Sequence, residues 1–242
     1  MRIEISIKLK NNELAQDYAP SFVSLIKAVL SDNDKTLFEK IYVKNEHKEK
    51  NFCFAVKLNK PQFHKDKIFL EDENIRMIID VSDFSDGIDM YNAFVRYKNK
   101  PYPFPNGNMI EIKDVGIKNH KQTISDQILI KMQSPLLVRI NEESRNRYIS
   151  CNDEEFKKYF SLSVLSMLKN LYNIDLETNE IQIFTVDSKK TVVNTFGNKI
   201  TGNIGTYIIK SHPDILNIIS QTGIGSRRSQ GFGCFDIISE VK

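Results

Sequence analysis

The chain has 242 residues, with 34 lysines and arginines against 31 aspartates and glutamates, and is 40% hydrophobic and 27% charged; this composition excludes a disordered or collagen-like chain. A formal charge of +3 is too small to establish nucleic-acid binding unless it is locally clustered. No apolar run reaches the roughly 18 to 20 residues of a membrane-spanning helix, and Cys53, Cys151 and Cys234 are odd in number and form no CxxC pair, so the expectation is a cytoplasmic protein with no membrane contact, no disulfide framework and no zinc site.

Residues 2–9 alternate, with Ile3, Ile5, Ile7 and Leu9 on one side of a strand. After Pro20, Phe22, Leu25, Ile26, Val29 and Leu30 recur at helical spacing. Residues 51–58 and 75–81 read as paired strands with a short segment 68–70 between them, residues 83–96 as a second helix and residues 109–117 as another strand. These elements compose a βαββαβ unit. The second half repeats the plan. Residues 127–140 read as a strand interrupted at Ser134-Pro135, followed by a long helix from an Asp153 N-cap to Tyr172. Residues 181–186 and 191–196 read as a hairpin, 204–209 as a further strand, 213–220 as a short helix and 231–241 as the closing strand. The most economical architecture is α+β, with two tandem ferredoxin-like (RRM-like) βαββαβ domains over residues 1–120 and 121–242.

The most unusual segment runs Gly223-Ile224-Gly225-Ser226-Arg227-Arg228-Ser229-Gln230-Gly231-Phe232-Gly233. Four glycines so close together require positive φ or close approach to another group, and N–H groups beside two guanidiniums suit phosphate oxygens. The segment matches neither GxGxxG nor GK[ST] and precedes a strand instead of following one. A plain turn with solvated arginines is the alternative.

This Gly-x-Gly, five residues, Gly-Phe-Gly pattern near the C-terminus, joined to the tandem ferredoxin-like plan, resembles the CRISPR repeat-processing endoribonucleases, the Cas-six family of the RAMP superfamily. The segment Lys131-Met132-Gln133-Ser134-Pro135-Leu136-Leu137-Val138 is similar to that family's Ser-Pro strand at the start of its second domain. The resemblance implies a protein that binds the repeat of precursor CRISPR RNA and cuts it once per repeat, with no metal and no cofactor. It also implies other CRISPR effector subunits as partners and pairing as a homodimer, although no segment marks an interface.

Such cleavage uses the RNA's own 2′-hydroxyl to attack the adjacent phosphorus, giving a 2′,3′-cyclic phosphate and a 5′-hydroxyl. It needs a general base, a general acid and a cation or dipole for the transition state. Histidine titrates nearest neutral pH, and the chain has His47, His64, His120 and His212. The resemblance implies the catalytic histidine in or just after the first helical region, which selects His47, with Tyr42 as hydrogen-bond donor or proton-transfer partner and Lys50 or Lys48 as cation. His120, between lysines at the domain junction, is the second choice; His64 reads as surface and His212 as the start of a short helix. For RNA binding the candidates are Gly225, Ser226, Arg227, Arg228 and Ser229, with Lys131 and Arg139 and, more weakly, Lys189, Lys190 and Lys199. Arg145 and Arg147 read as ordinary charged surface, and Phe232 as either a base-stacking or a core residue. The rival reading is a noncatalytic RAMP-type protein that holds a guide RNA in an effector complex; a more distant one is a ferredoxin-like module that binds protein partners.

Overall fold

The computed structural model describes residues 1–141 and 146–241; Arg145 lies outside the described residues. The first half contains β1 (Arg2–Leu9), β2 (Glu13–Ala15), α1 (Ala19–Asn33), α2 (Lys35–Phe38), a π-helical turn (Glu39–Val43), β3 (Phe52–Lys57), β4 (Gln62–Phe63), β5 (Lys67–Phe69), β6 (Asn74–Val81), α3 (Phe84–Arg96), β7 (Pro101–Phe104) and β8 (Asn108–Lys118). The second contains β9 (Gln127–Met132), β10 (Val138–Asn141), β11 (Asn146–Ile149), α4 (Phe156–Tyr172), β12 (Gln182–Thr195), β13 (Asn198–Lys210), α5 (Pro213–Thr222) and β14 (Phe235–Glu240).

The first large sheet has the order β3-β6-β1-β8-β7 and the second β12-β13-β9-β14, with every neighbouring pair antiparallel. Numbered within each βαββαβ unit, both follow fourth-first-third-second, the ferredoxin-like order, so the α+β tandem plan holds. Each half has its own core: Ile3, Ile5 and Ile7 of β1 with Phe22, Leu25 and Ile26 of α1 in the first, and Ile128 and Ile130 of β9 with Phe160, Val164 and Leu168 of α4 in the second. Each such side chain withdrawn from water contributes about 1.5–3 kcal/mol. Among the described residues no helix is long and apolar enough to cross a membrane.

Four boundaries differ from the sequence expectation. The strand expected over 127–140 is two strands, because the chain turns at Ser134-Pro135: β9 sits inside the second sheet while β10 pairs with β11 in a separate ribbon. Residues 182–195 form one long strand instead of a hairpin; the turn lies at Phe196-Gly197, whose φ values of 50° and 73° suit a two-residue hairpin loop. The polar run Asp187-Ser188-Lys189-Lys190 looks like a loop because both faces of the outer ribbon meet solvent. Asp153 does not cap α4; its carboxylate accepts the Ser150 amide at 2.8 Å, and Glu155 occupies the N-cap. The closing strand starts at Phe235, since Gly231 and Gly233 hold positive φ.

Candidate nucleic-acid interface

The glycine-rich loop leaves α5 at Gly223 and enters β14 after Gly233. A Cβ on Gly223 would fall 2.8 Å from the Cys53 side chain of β3, and one on Gly225 would fall 2.5 Å from the Leu137 carbonyl. The loop is therefore wedged between the two halves, and its glycines answer to packing. Its amides are used internally: Ile224 donates to the Gly233 carbonyl at 3.0 Å, Ser226 to Leu137 at 2.8 Å and Gly233 to Pro135 at 3.0 Å. These three N–H groups are therefore satisfied by protein carbonyls and are not open to a phosphate. Phe232 is 1% exposed and packs with Leu137 and Ile200, so it is a core residue.

Of the loop's polar side chains, Ser226, Arg227 and Ser229 are half-buried. Arg227, with φ of 57°, donates from Nε to the Tyr148 hydroxyl at 2.7 Å and lies 5.5 Å from that ring's centre. Arg228, expected beside it as a phosphate contact, turns inward and is 5% exposed. Its guanidinium donates to the Gly225 carbonyl at 3.4 Å and the Lys50 carbonyl at 3.2 Å and lies 3.5 Å from a Glu49 carboxylate oxygen, while its Nε is buried without a partner. Arg228 thus ties the glycine loop to the segment that carries His47.

That segment follows the π-helical turn, a form of backbone recurrent at functional sites. The His47 side chain is 94% exposed and lies 3.9 Å from a Glu46 carboxylate oxygen. Lys50 donates to the carbonyls of Asn45 and Glu46, and burial lowers its pKa; its ammonium braces the turn that presents His47. Tyr42, expected as donor or proton-transfer partner, has a buried hydroxyl without a hydrogen-bond partner among the described residues, and burial pushes its pKa up. In this arrangement its hydroxyl is shielded from solvent. Sequence reasoning missed both the brace and the burial because each depends on the turn's geometry.

One cleft of about 270 Å³ gathers three of the sequence-predicted segments: Glu49 from the His47 segment, Arg139 from β10, and Gly225 and Ser226 from the glycine loop, against Tyr159 and Ser163 of α4. Lys131 does not line it; it is exposed on β9 opposite Thr206 and Asp236. Lys189, Lys190 and Lys199 are exposed on the β12–β13 ribbon. His64 stands edge-on to Phe69, and His212 Nδ1 accepts the Asp214 amide at 3.3 Å at the start of α5.

His120 is placed quite differently from the other three. Its Nε2 lies 2.9 Å from Asp80 Oδ1, and the two side chains are 13% and 0% exposed. Arg2 grips the same carboxylate through two contacts of 2.8 Å and also pairs with Asp236. Burial pushes the Asp80 carboxyl up, but Arg2 and His120 outweigh it and hold its pKa below the usual carboxylate range. Sequence reasoning missed Arg2, Asp80 and Asp236. Asp80 did leave a signal, a lone carboxylate in the apolar strand Ile78-Ile79-Asp80-Val81.

Residues 117–237 match the family described as CRISPR associated protein Cas6, C-terminal. Similar solved structures include an RAMP protein binding different RNA substrates, with 17% identity over 99% of this chain and 100% of that one and a TM-score of 0.83. The product of a Cas6-related gene from Pyrococcus furiosus has 17% identity over 100% of this chain and 99% of that one, with a TM-score of 0.84. A Cas6 (TTHB231) product complex has 12% identity over 98% and 99%, with a TM-score of 0.69. At these identities the likeness is one of fold. No curated protein matches the chain in sequence.

Proposed function

Because the chain belongs to the Cas6 family of CRISPR associated proteins, we propose that it binds the repeat of precursor CRISPR RNA and cuts it within each repeat, without a metal ion, by attack of the RNA's 2′-hydroxyl. The observation that carries this reading is the cleft at which the His47 segment, Arg139 and the glycine loop meet, with Arg228 joining the first and last of these. A phosphodiester lying along the cleft meets Arg139 and Ser226, and the guanidinium of Arg227, next in the chain and oriented by Tyr148, extends the contact beyond the cleft.

His47 exchanges the proton in this scheme, as acid toward the leaving 5′-oxygen or as base toward the 2′-hydroxyl, because it is the histidine of the segment and its side chain is exposed. Exposed Lys48 beside it supplies the cation for the phosphorane. Lys50 holds the turn, and Tyr42 and Arg228 are positioning residues beneath it.

One observation favours the second reading, a noncatalytic guide-RNA holder working beside other effector subunits: among the described residues only the exposed Glu46, at 3.9 Å, forms an ion pair with His47, so no buried group orients its ring. Cleavage of a matching repeat RNA in excess EDTA separates the two readings. A single cut ending in a 2′,3′-cyclic phosphate, lost in His47→Ala, supports the nuclease; tight binding with no cut supports the holder.

A further inference from the structure

Cys53 of β3, Asp80 of β6 and Cys234, one residue before β14, come from distant parts of the chain and are each 0% exposed. Their Sγ and carboxylate atoms all lie within 4.8 Å of one another. The Cys234 thiol donates to Asp80 Oδ2 at 3.4 Å. With metal–sulfur bonds of about 2.3 Å and metal–oxygen bonds of about 2.0–2.2 Å, tetrahedral coordination puts neighbouring sulfur and oxygen donors about 3.5 Å apart. The thiol–carboxylate separation already matches that.

We propose that Cys53, Cys234 and Asp80 form a binding site for a thiophilic divalent cation, of which zinc is the best match, that ties the two ferredoxin-like halves together. Two thiols select zinc over the hard cations magnesium, calcium and manganese. The ion displaces one proton from each thiol and forms two metal–sulfur bonds, with no redox change: M²⁺ + 2 RSH → M(SR)₂ + 2 H⁺. Two positive charges replace two protons, so the net charge of the buried cluster is unchanged. This matters because an uncompensated buried charge is costly. Asp80 offers Oδ2 to the ion while Oδ1 stays with Arg2 Nε.

His120 stands at the way in. Its buried Nε2 sits beside Asp80 without a well-formed hydrogen bond, and its ring lines an open cleft of about 260 Å³ together with Arg2, Lys121 and Asp236. The widely separated cysteines gave no zinc-like spacing because the site forms only when β3 and β14 meet across the domain junction.

The test uses the reduced full-length protein without RNA, so its outcome is independent of the nuclease reading. Titration with Co²⁺ should give thiolate-to-cobalt charge-transfer bands saturating at about one ion per chain, release about two protons per ion, and be reversed by Zn²⁺. Cys53→Ser and Cys234→Ser should each weaken binding at least tenfold, while Cys151→Ser leaves it unchanged. His120→Ala, at the cleft edge, should keep the charge-transfer bands and speed their appearance; this arm remains readable if a cysteine variant fails to fold. Absence of thiolate bands in the wild type, or bands that survive in folded Cys53→Ser and Cys234→Ser or vanish in Cys151→Ser, overturns the proposal.

Discussion

His47 and His120 each stand beside one carboxylate, and the resemblance ends there. His47 is 94% exposed at 3.9 Å from Glu46, whereas His120 is 13% exposed at 2.9 Å from an Asp80 that Arg2 also clamps. The first has access and little fixed geometry; the second has fixed geometry and little access. Catalytic hydrogen bonds often tighten only when substrate is bound, so a free histidine on a braced turn suits a group that waits for RNA, and a clamped one suits a group that holds the fold.

Each side of this contrast can be broken separately. The largest effect on stability belongs to the clamped side: Asp80→Ala removes both Asp80 contacts of the buried Arg2 guanidinium and leaves it only the half-buried Asp236 as counter-charge, and is expected to cost about 3 kcal/mol in urea unfolding, whereas His47→Ala should leave the midpoint unchanged. Gly225→Ala comes next, since it strains a φ of +75° and drives a Cβ toward the Leu137 carbonyl; a loss of about 2 kcal/mol is expected from the same unfolding measurement. The matching change at Gly107, with φ of +71° and nothing within 4 Å, should cost only the backbone term.

The acid limb of stability sharpens the contrast further. The folded pKa of Asp80 is depressed, so its stabilisation is complete above the unfolded aspartate value of about 3.9 and is lost as pH falls through the folded value. Unfolding midpoints should therefore drop below about pH 4 in the wild type, and the Asp80 contribution to that drop should vanish in Asp80→Asn. The smallest expected effect is at the surface: Arg227→Ala removes one phosphate contact and should lower the salt dependence of RNA binding by about one unit of slope, with little change in stability.

Much of the fold was legible because its signals are local. Ile3, Ile5, Ile7 and Leu9 must share a strand face, and Phe22 to Leu30 must share a helix face, whatever they pack against. The β12–β13 ribbon was misread because its outer residues are exposed on both sides, which erases the alternation that marks a half-buried strand. At the candidate site, the glycines correctly announced unusual backbone, but whether a ligand or a neighbouring strand crowds them depends on tertiary contact: Cys53 and Leu137 do the crowding. Arg227 and Arg228 are adjacent and chemically identical in sequence, yet the left-handed backbone at Arg227 sends one toward Tyr148 and the other into the domain junction. Tyr42 was placed with His47 by resemblance, and only the π-helical turn shows its hydroxyl to be buried.

The most direct test of the contrast is single-turnover cleavage of a repeat RNA in EDTA by wild type, His47→Ala and His120→Ala, with RNA affinity measured alongside. The account predicts a rate about 10²–10⁴ lower for His47→Ala, with affinity nearly unchanged, and a near-normal rate for folded His120→Ala. Full activity in His47→Ala together with its loss in folded His120→Ala would contradict the assignment and move the chemistry to the clamped histidine.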